Sequence, residues 1–366
     1  MLYRGFVIGA VLLLVVTGGA VATAALVGTA SPSIGAASPS ASTFGAQQLA
    51  AASASLSAAP SHGWSQLPNA TGPPKVAAEV LVYDASDHYV LLFGGRDKWT
   101  PFNGPFLGET WSFANGTWTQ LHPTSSPSAR GHSVAVYDAA DGYVVLFGGL
   151  QQGGGPMGGG SMYDTWTFHA GVWTKLPLTV HPSARYQAAM AYDTAMQRVV
   201  LFGGTTGANE TWQFHAGKWT ELHPAISPPG RRLAMMAYDP AAGAIILFGG
   251  CQGGGCAPML GDTWSFAGGT WTQLHPATSP SPRIGSGFSY DPALGEIVLF
   301  GGENATALLG DTWTFHNLTW ANPCVHCGPN PRWLAVTTYV PGSPGTLVMY
   351  GGDTKNGFND QTWEYS

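Results

Sequence analysis

The run "YVVLFGG" at residues 143–149 has five counterparts in the chain: "YVLLFGG", "RVVLFGG", "AIILFGG", "EIVLFGG" and "TLVMYGG". A sequence that repeats one phrase at intervals of about 50 residues is confined to architectures built from a single recurring unit. The phasing is strict. Ten positions separate Tyr83 from Phe93, Tyr137 from Phe147, Tyr192 from Phe202, Tyr238 from Phe248 and Tyr290 from Phe300; the sixth copy, Tyr339 to Tyr350, has eleven. Two tryptophans follow each of the first five runs seven positions apart, as in Trp111 and Trp118, and twelve positions further on stands Arg130, Arg185, Arg231, Arg283 or Arg332. Only the stretch between "GG" and the next "TW" drifts, through 14, 15, 6, 12, 9 and 9 residues.

These intervals predict a four-stranded antiparallel unit. Strand a runs from Arg to Tyr, and a turn such as "DAADG" leads to strand b, the repeated apolar run. A loop of variable length precedes strand c ("DTWTF"), and a Gly-containing hairpin leads to strand d ("WTQL"). Because "VVLF" is apolar on consecutive residues, both faces of strand b are expected to be buried, which one sheet cannot achieve alone. Its two glycines mark a place where the backbone turns or meets another segment closely. The last copy ends at "TWEYS" without a strand d, while an orphan strand d, "GWSQLP" around Trp64, precedes the first strand a. The expectation is a ring of six sheets in which that N-terminal strand completes the sixth, leaving no bare edge.

The order "R…YD…LFGG…DTW.F..g.W..L" resembles the kelch repeat over residues 64–366. The resemblance implies an all-β, six-bladed kelch-type β-propeller over residues 61–366, of the same superfamily as the central domain of galactose oxidase. Function does not follow from such a fold, which serves as a scaffold for unrelated activities.

Composition narrows the partners. Only 9% of the residues are charged and the net charge is −6, with no basic cluster, so a nucleic-acid partner is not expected. Residues 1–28 carry one positive charge followed by a 24-residue uncharged stretch. They read either as a cleaved signal peptide or as a retained membrane anchor, the only route to a membrane. Both place the rest of the chain outside the cytoplasm, at the cell surface or free. Residues 29–60, rich in Ala, Ser and Pro, read as a flexible linker. Asn69, Asn115, Asn209, Asn304 and Asn317 head Asn-X-Thr triplets, which accept glycans in an exported protein. Four cysteines in two close pairs, Cys251–Cys256 and Cys324–Cys327, point to two local disulfides, with a four-thiolate zinc site as the alternative. No resident metal or cofactor is expected.

With strands alternating in direction, the b–c loops and d–a connections share one face, which collects all the length variation. Its candidates are the loops 96–108, with Trp99 and Phe102, 150–162 and 251–260. Arg130, Arg185, Arg231, Arg283 and Arg332 begin each strand a on the same face, with Val76 and Lys75 standing in for the missing first arginine. Such groups hold carboxylates through bidentate hydrogen bonds, and comparable arginines in some kelch relatives bind acidic peptides or sugar acids. The alternative is structural: each Arg pairs with a nearby Asp or caps the d–a turn. Glu79 breaks the pattern, since the other copies carry Ser133, Ala188, Ala234, Ser286 and Ala335 there. It is placed in or near the central channel, with His132 and Gln187 as candidate neighbours, either as an acid/base or cation site or as a solvated carboxylate. Two functional readings follow. One is a non-enzymatic module binding a protein, peptide or glycan through the b–c loop face. The other, implied by the resemblance, is a sugar-processing enzyme akin to sialic-acid epimerases that uses Glu79 with the arginines.

Overall fold

The computed structural model describes residues 62–68, 71–98, 105–152, 159–205, 209–324, 328–342 and 345–366. Every regular element among them is a β-strand. The chain divides into two units, Met1–Pro60 and Ser61–Ser366, and the second holds all the described residues.

Six four-stranded antiparallel sheets follow one another along the sequence. Sheet one has strand a at Val80–Asp84, b at Tyr89–Phe93, c at Thr110–Ala114 and d at Thr117–Leu121. Sheets two to five repeat the a-b-c-d order, with strands a at Val134–Asp138, Ala189–Asp193, Met235–Asp239 and Gly287–Asp291. In sheet six, strand a is Val336–Val340, b is Thr346–Tyr350 and c is Thr362–Tyr365. Its fourth strand is Trp64–Gln66, which pairs antiparallel with strand c in the register Trp64↔Tyr365, Ser65↔Glu364 and Gln66↔Trp363. Successive strands a lie against one another, and that of sheet six lies against that of sheet one.

Strand b is the densest part of each sheet. Val144, Val145, Leu146 and Phe147 are almost wholly shielded from solvent, and so are their counterparts elsewhere. Residues of one parity pack against the preceding sheet and those of the other against the following one: Leu146 sits with Val80 and Phe93 of sheet one, whereas Val145 sits with Leu201 and Phe214 of sheet three. A run that is apolar at every position is therefore required by two-sided burial, and each such side chain contributes about 1.5–3 kcal/mol of transfer free energy.

Polar groups placed once per repeat join neighbouring sheets. The strand-d tryptophan donates its indole N–H to the threonine that opens strand c of the preceding sheet. These bonds run from Trp173 to Thr110, Trp219 to Thr165, Trp271 to Thr211 and Trp320 to Thr263, at 2.9–3.1 Å. Trp64 does the same to Thr312 of sheet five, and Trp118 of sheet one reaches Thr362 of sheet six. The glycine pair makes a second link: the amide of Gly95 donates to the carbonyl of Arg130, Gly149 to Arg185 and, between sheets six and one, Gly352 to Val76. Gly94 has φ +74°, and a Cβ there would stand 2.5 Å from the Arg130 carbonyl, so this crossing excludes any side chain. Both expected roles of the glycines, turn and close approach, are met.

Strand a starts later than the sequence suggests. It was expected from Arg to Tyr, yet regular pairing begins four residues after each arginine. The reason is a left-handed residue two positions past the arginine site: Ala78, His132, Gln187, Leu233, Gly285 and Leu334 all have φ between 54° and 64°. Five of these six are not glycine, and left-handed backbone costs such residues roughly 1–2 kcal/mol each. The kink turns their peptides toward one another. His132 N donates to Ala78 O, Gln187 N to His132 O, Leu233 N to Gln187 O, Gly285 N to Leu233 O and Leu334 N to Gly285 O. A belt of five backbone hydrogen bonds thus ties the six sheets at the upper end of their inner strands.

Candidate functional site

The repeated arginines are structural. Arg130, Arg185, Arg231, Arg283 and Arg332 are each 1% exposed. Arg130 grips Asp164 through both terminal nitrogens at 2.6 and 3.0 Å and donates to the Gly148 carbonyl at 3.1 Å. Arg231 with Asp262 and Arg283 with Asp311 repeat the fork, and Arg185 donates to Glu210 at 2.5 Å. Each carboxylate also accepts the indole N–H two residues on, as Asp164 does from Trp166 at 2.8 Å. Burial pushes the Asp164, Glu210, Asp262 and Asp311 carboxyls up, but the hydrogen bond and charge of the arginine outweigh it and hold them below the usual range. Arg332 faces the amide oxygen of Gln361 at 3.0 Å instead of a carboxylate, and burial pulls it down to about 10. The expected ligand-facing arginines are therefore corrected to internal ties from strand a to the b–c loop, since their guanidinium donors point at carboxylates and glycine carbonyls inside the protein.

In sheet one this tie is missing. Val76, fully buried, occupies the arginine position, and Lys75 beside it is exposed. Glu109, where the other carboxylates stand, keeps the indole of Trp111 at 2.9 Å. Trp99 and Phe102 lie outside the described residues. Phe106 of the same loop is buried, with the Arg96 guanidinium 5.1 Å above its ring.

Glu79 stands where the sequence placed it. Together with Ser133, Ala188, Ala234, Ser286 and Ala335 it lines a cavity of about 180 Å3 between the inner strands of all six sheets. A second cavity of about 170 Å3 adjoins above and includes Glu79, His132, Gln187, Leu233 and Leu334. Glu79 is 3% exposed, and neither carboxyl oxygen has a hydrogen-bond partner outside its own residue. Oε1 lies against the backbone of Gly351 in sheet six, a contact open only because that residue has no side chain. Burial outweighs a hydrogen bond from its own backbone and raises the Glu79 carboxyl to about 8. At neutral pH it is mostly a neutral acid. Burial, then the charges of Arg96 and Arg232, pull His132 down to about 3, so its imidazole is neutral as well. The expected neighbours thus share a cavity with Glu79, whereas no hydrogen bond or ion pair joins Glu79 to any of the five repeated arginines.

Unsatisfied buried polar atoms stand at both ends of the inner strands: Oδ2 of Asp84 and of Asp138 at the a–b turns, and a larger group at this end. Besides Glu79, that group includes Gln187 Oε1, Asp97 Oδ1 and Arg232 Nε. Sequence reasoning named Arg232 only as a lesser basic neighbour of the repeated arginines and did not single out Asp97; the signal for them is weak, since each is one charged residue in a loop position that varies between copies.

The remaining candidates are local. Asp138, Asp193, Asp239 and Asp291 cap the a–b turns through backbone N–H groups, as expected. His215 and His316 hold a–b turn carbonyls at 3.1 and 3.0 Å. Among the described residues no cluster of His, Cys, Asp and Glu could hold a metal ion. Cys251 and Cys256 are bonded to each other, which removes two ligands from the four-thiolate alternative. Cys324 is also disulfide-bonded, and its expected partner Cys327 lies outside the described residues. Disulfide bonding suggests an oxidising, extracellular-type environment. Asn115, Asn209 and Asn317 are exposed; Asn304 is half-buried and holds its own turn through Thr306 and Ala307; Asn69 lies outside the described residues. Residues 1–28 and 29–60 also lie outside them. Among the described residues no helix is long and apolar enough to cross a membrane.

Compared with protein-family models and with curated proteins, the chain matches none.

Proposed function

We propose that residues 61–366 form a six-bladed, kelch-type β-propeller, closed by the Trp64–Gln66 strand, that works as an extracellular or cell-surface recognition module. It binds a protein, peptide or glycan through the face carrying the b–c loops and catalyses no reaction. The residues before it serve as export signal or anchor and as a linker that holds the module away from the membrane. The observation that carries this reading is the division of labour within the repeat. The charged groups that recur are consumed in arginine–carboxylate ties, while the length variation gathers at one end of the inner strands, together with unpartnered polar atoms of Glu79, Asp97, Gln187 and Arg232. Recognition sites are concave and carry a few convergent polar groups on a rigid frame. An epimerase-like role would need arginines beside Glu79 to hold a sugar acid, and those arginines are occupied elsewhere.

The test uses the exported chain on arrays of glycans and surface proteins. Replacing loops 96–108 and 150–162 with the short loop 205–210 is expected to abolish any binding found, while the thermal transition persists. Binding that survives both replacements would place recognition elsewhere.

A further inference from the structure

The first of the two cavities at Glu79 adjoins a third and larger one. It measures about 740 Å3, extends to the a–b turns at the opposite end of the inner strands, and has no charged side chain in its wall. One tyrosine from each sheet lines it: Tyr83, Tyr137, Tyr192, Tyr238, Tyr290 and Tyr339. The turn aspartates stand directly behind them, each at most 1% exposed. Burial, and after it the charges of these aspartates, holds the hydroxyls of Tyr83, Tyr137, Tyr192, Tyr290 and Tyr339 above their ordinary range. The wide end is thus aromatic and lies in a negative field. The middle cavity contains one ionisable side chain, Glu79, and no cation to neutralise it.

We propose that these cavities take an organic cation, a protonated amine on an apolar body, which enters between the tyrosines and sets its ammonium group against Glu79. Aromatic faces attract ammonium groups, and Met190, Met236 and Phe288 offer the apolar body a surface. At the far end Arg96 and Arg232 are close enough to act on His132, so their repulsion halts the ammonium near Glu79. The other groups around Glu79 are the Tyr350 hydroxyl, which donates to the Pro73 carbonyl at 2.7 Å, and Arg332, whose donor is spent on the Gly351 carbonyl at 3.0 Å. Neither neutralises the carboxylate. On binding, the carboxyl turns from Gly351 into the cavity and releases its proton to solvent, and the resulting carboxylate pairs with the ammonium. One proton leaves for each amine bound. The entrance lies at the a–b turns, opposite the b–c loop face, and Glu79 is reached from there without the loops, so this site stands or falls separately from that face.

The experiment is calorimetric titration of the chain with phenethylammonium and with its neutral counterpart 2-phenylethanol, in two buffers of different ionisation enthalpy. The amine is expected to bind with release of about one proton at pH 7, and its affinity to rise about tenfold per pH unit up to roughly pH 8. The alcohol binds in the same place without proton release or pH dependence. Glu79→Gln abolishes the proton release and the pH slope while alcohol binding persists, which also reports that the variant is folded. Failure of both probes to bind, identical behaviour of amine and alcohol, or a pH slope unchanged in Glu79→Gln each overturns the proposal.

Discussion

Glu79 concentrates the energetic tension of the molecule in one side chain. A carboxyl raised to about 8 when folded, against about 4.5 when unfolded, binds a proton in the folded state that the unfolded chain has already lost. Folding stability from this group is therefore complete below pH 4.5 and declines as pH rises toward 8, by on the order of a few kcal/mol. Denaturant titrations between pH 5 and 9 are expected to show this decline in the parent chain and not in Glu79→Gln, which gains the most at the alkaline end. An equal slope in both would mean that the carboxyl is solvated. How far this residue was legible follows from the repeat. Six aligned copies expose an odd member, so its place on the inner wall could be read, whereas its lack of partners depends on Gly351, about 270 positions away. The left-handed belt was not legible, because Ala78, Gln187, Leu233 and Leu334 are not residues that announce a positive φ.

At the scale of elements, the ties between strands decide stability. The Arg130–Asp164 fork has both side chains almost fully enclosed. Asp164→Asn breaks a buried pair and leaves a guanidinium uncompensated, with an expected cost of about 3–5 kcal/mol in urea unfolding at pH 7. Glu210 is half-buried, so Glu210→Gln costs less. The four depressed carboxylates contribute stability above their usual range and lose it as pH falls, so the gap between Asp164→Asn and the parent narrows below about pH 4. Trp271→Phe keeps the ring and loses the hydrogen bond to Thr211, at an expected cost of about 1 kcal/mol in the same assay. The strand order and the two-faced burial of strand b could be read from the sequence, because periodicity and apolar runs encode them directly. The arginine partners could not be fixed, since a ring of exposed arginines and a set of internal pairs share one spacing; the carboxylate before "TW" in every copy but the sixth, which has Gln361, held the answer.

For the whole molecule, the pairing of Trp64–Gln66 with Trp363–Tyr365 leaves sheet six with the same four strands as its neighbours. Removing residues 62–67 uncovers the edge of strand c and takes away the Trp64 indole that packs on Phe300 and Tyr365. A chain beginning at residue 68 is expected to melt lower and to self-associate through that edge, as seen by sedimentation velocity. If it stays monomeric with an unchanged transition, the borrowed strand is dispensable.

That pairing also sets a timetable. The partners stand about 300 positions apart, so Trp64–Gln66 finds its place only after residues 363–365 have been made. Bringing such distant stretches together is entropically costly and slow. Until then sheet six waits with three strands, the open side of its last one holding unpaired backbone that only a segment from the far end of the repeat array can cover.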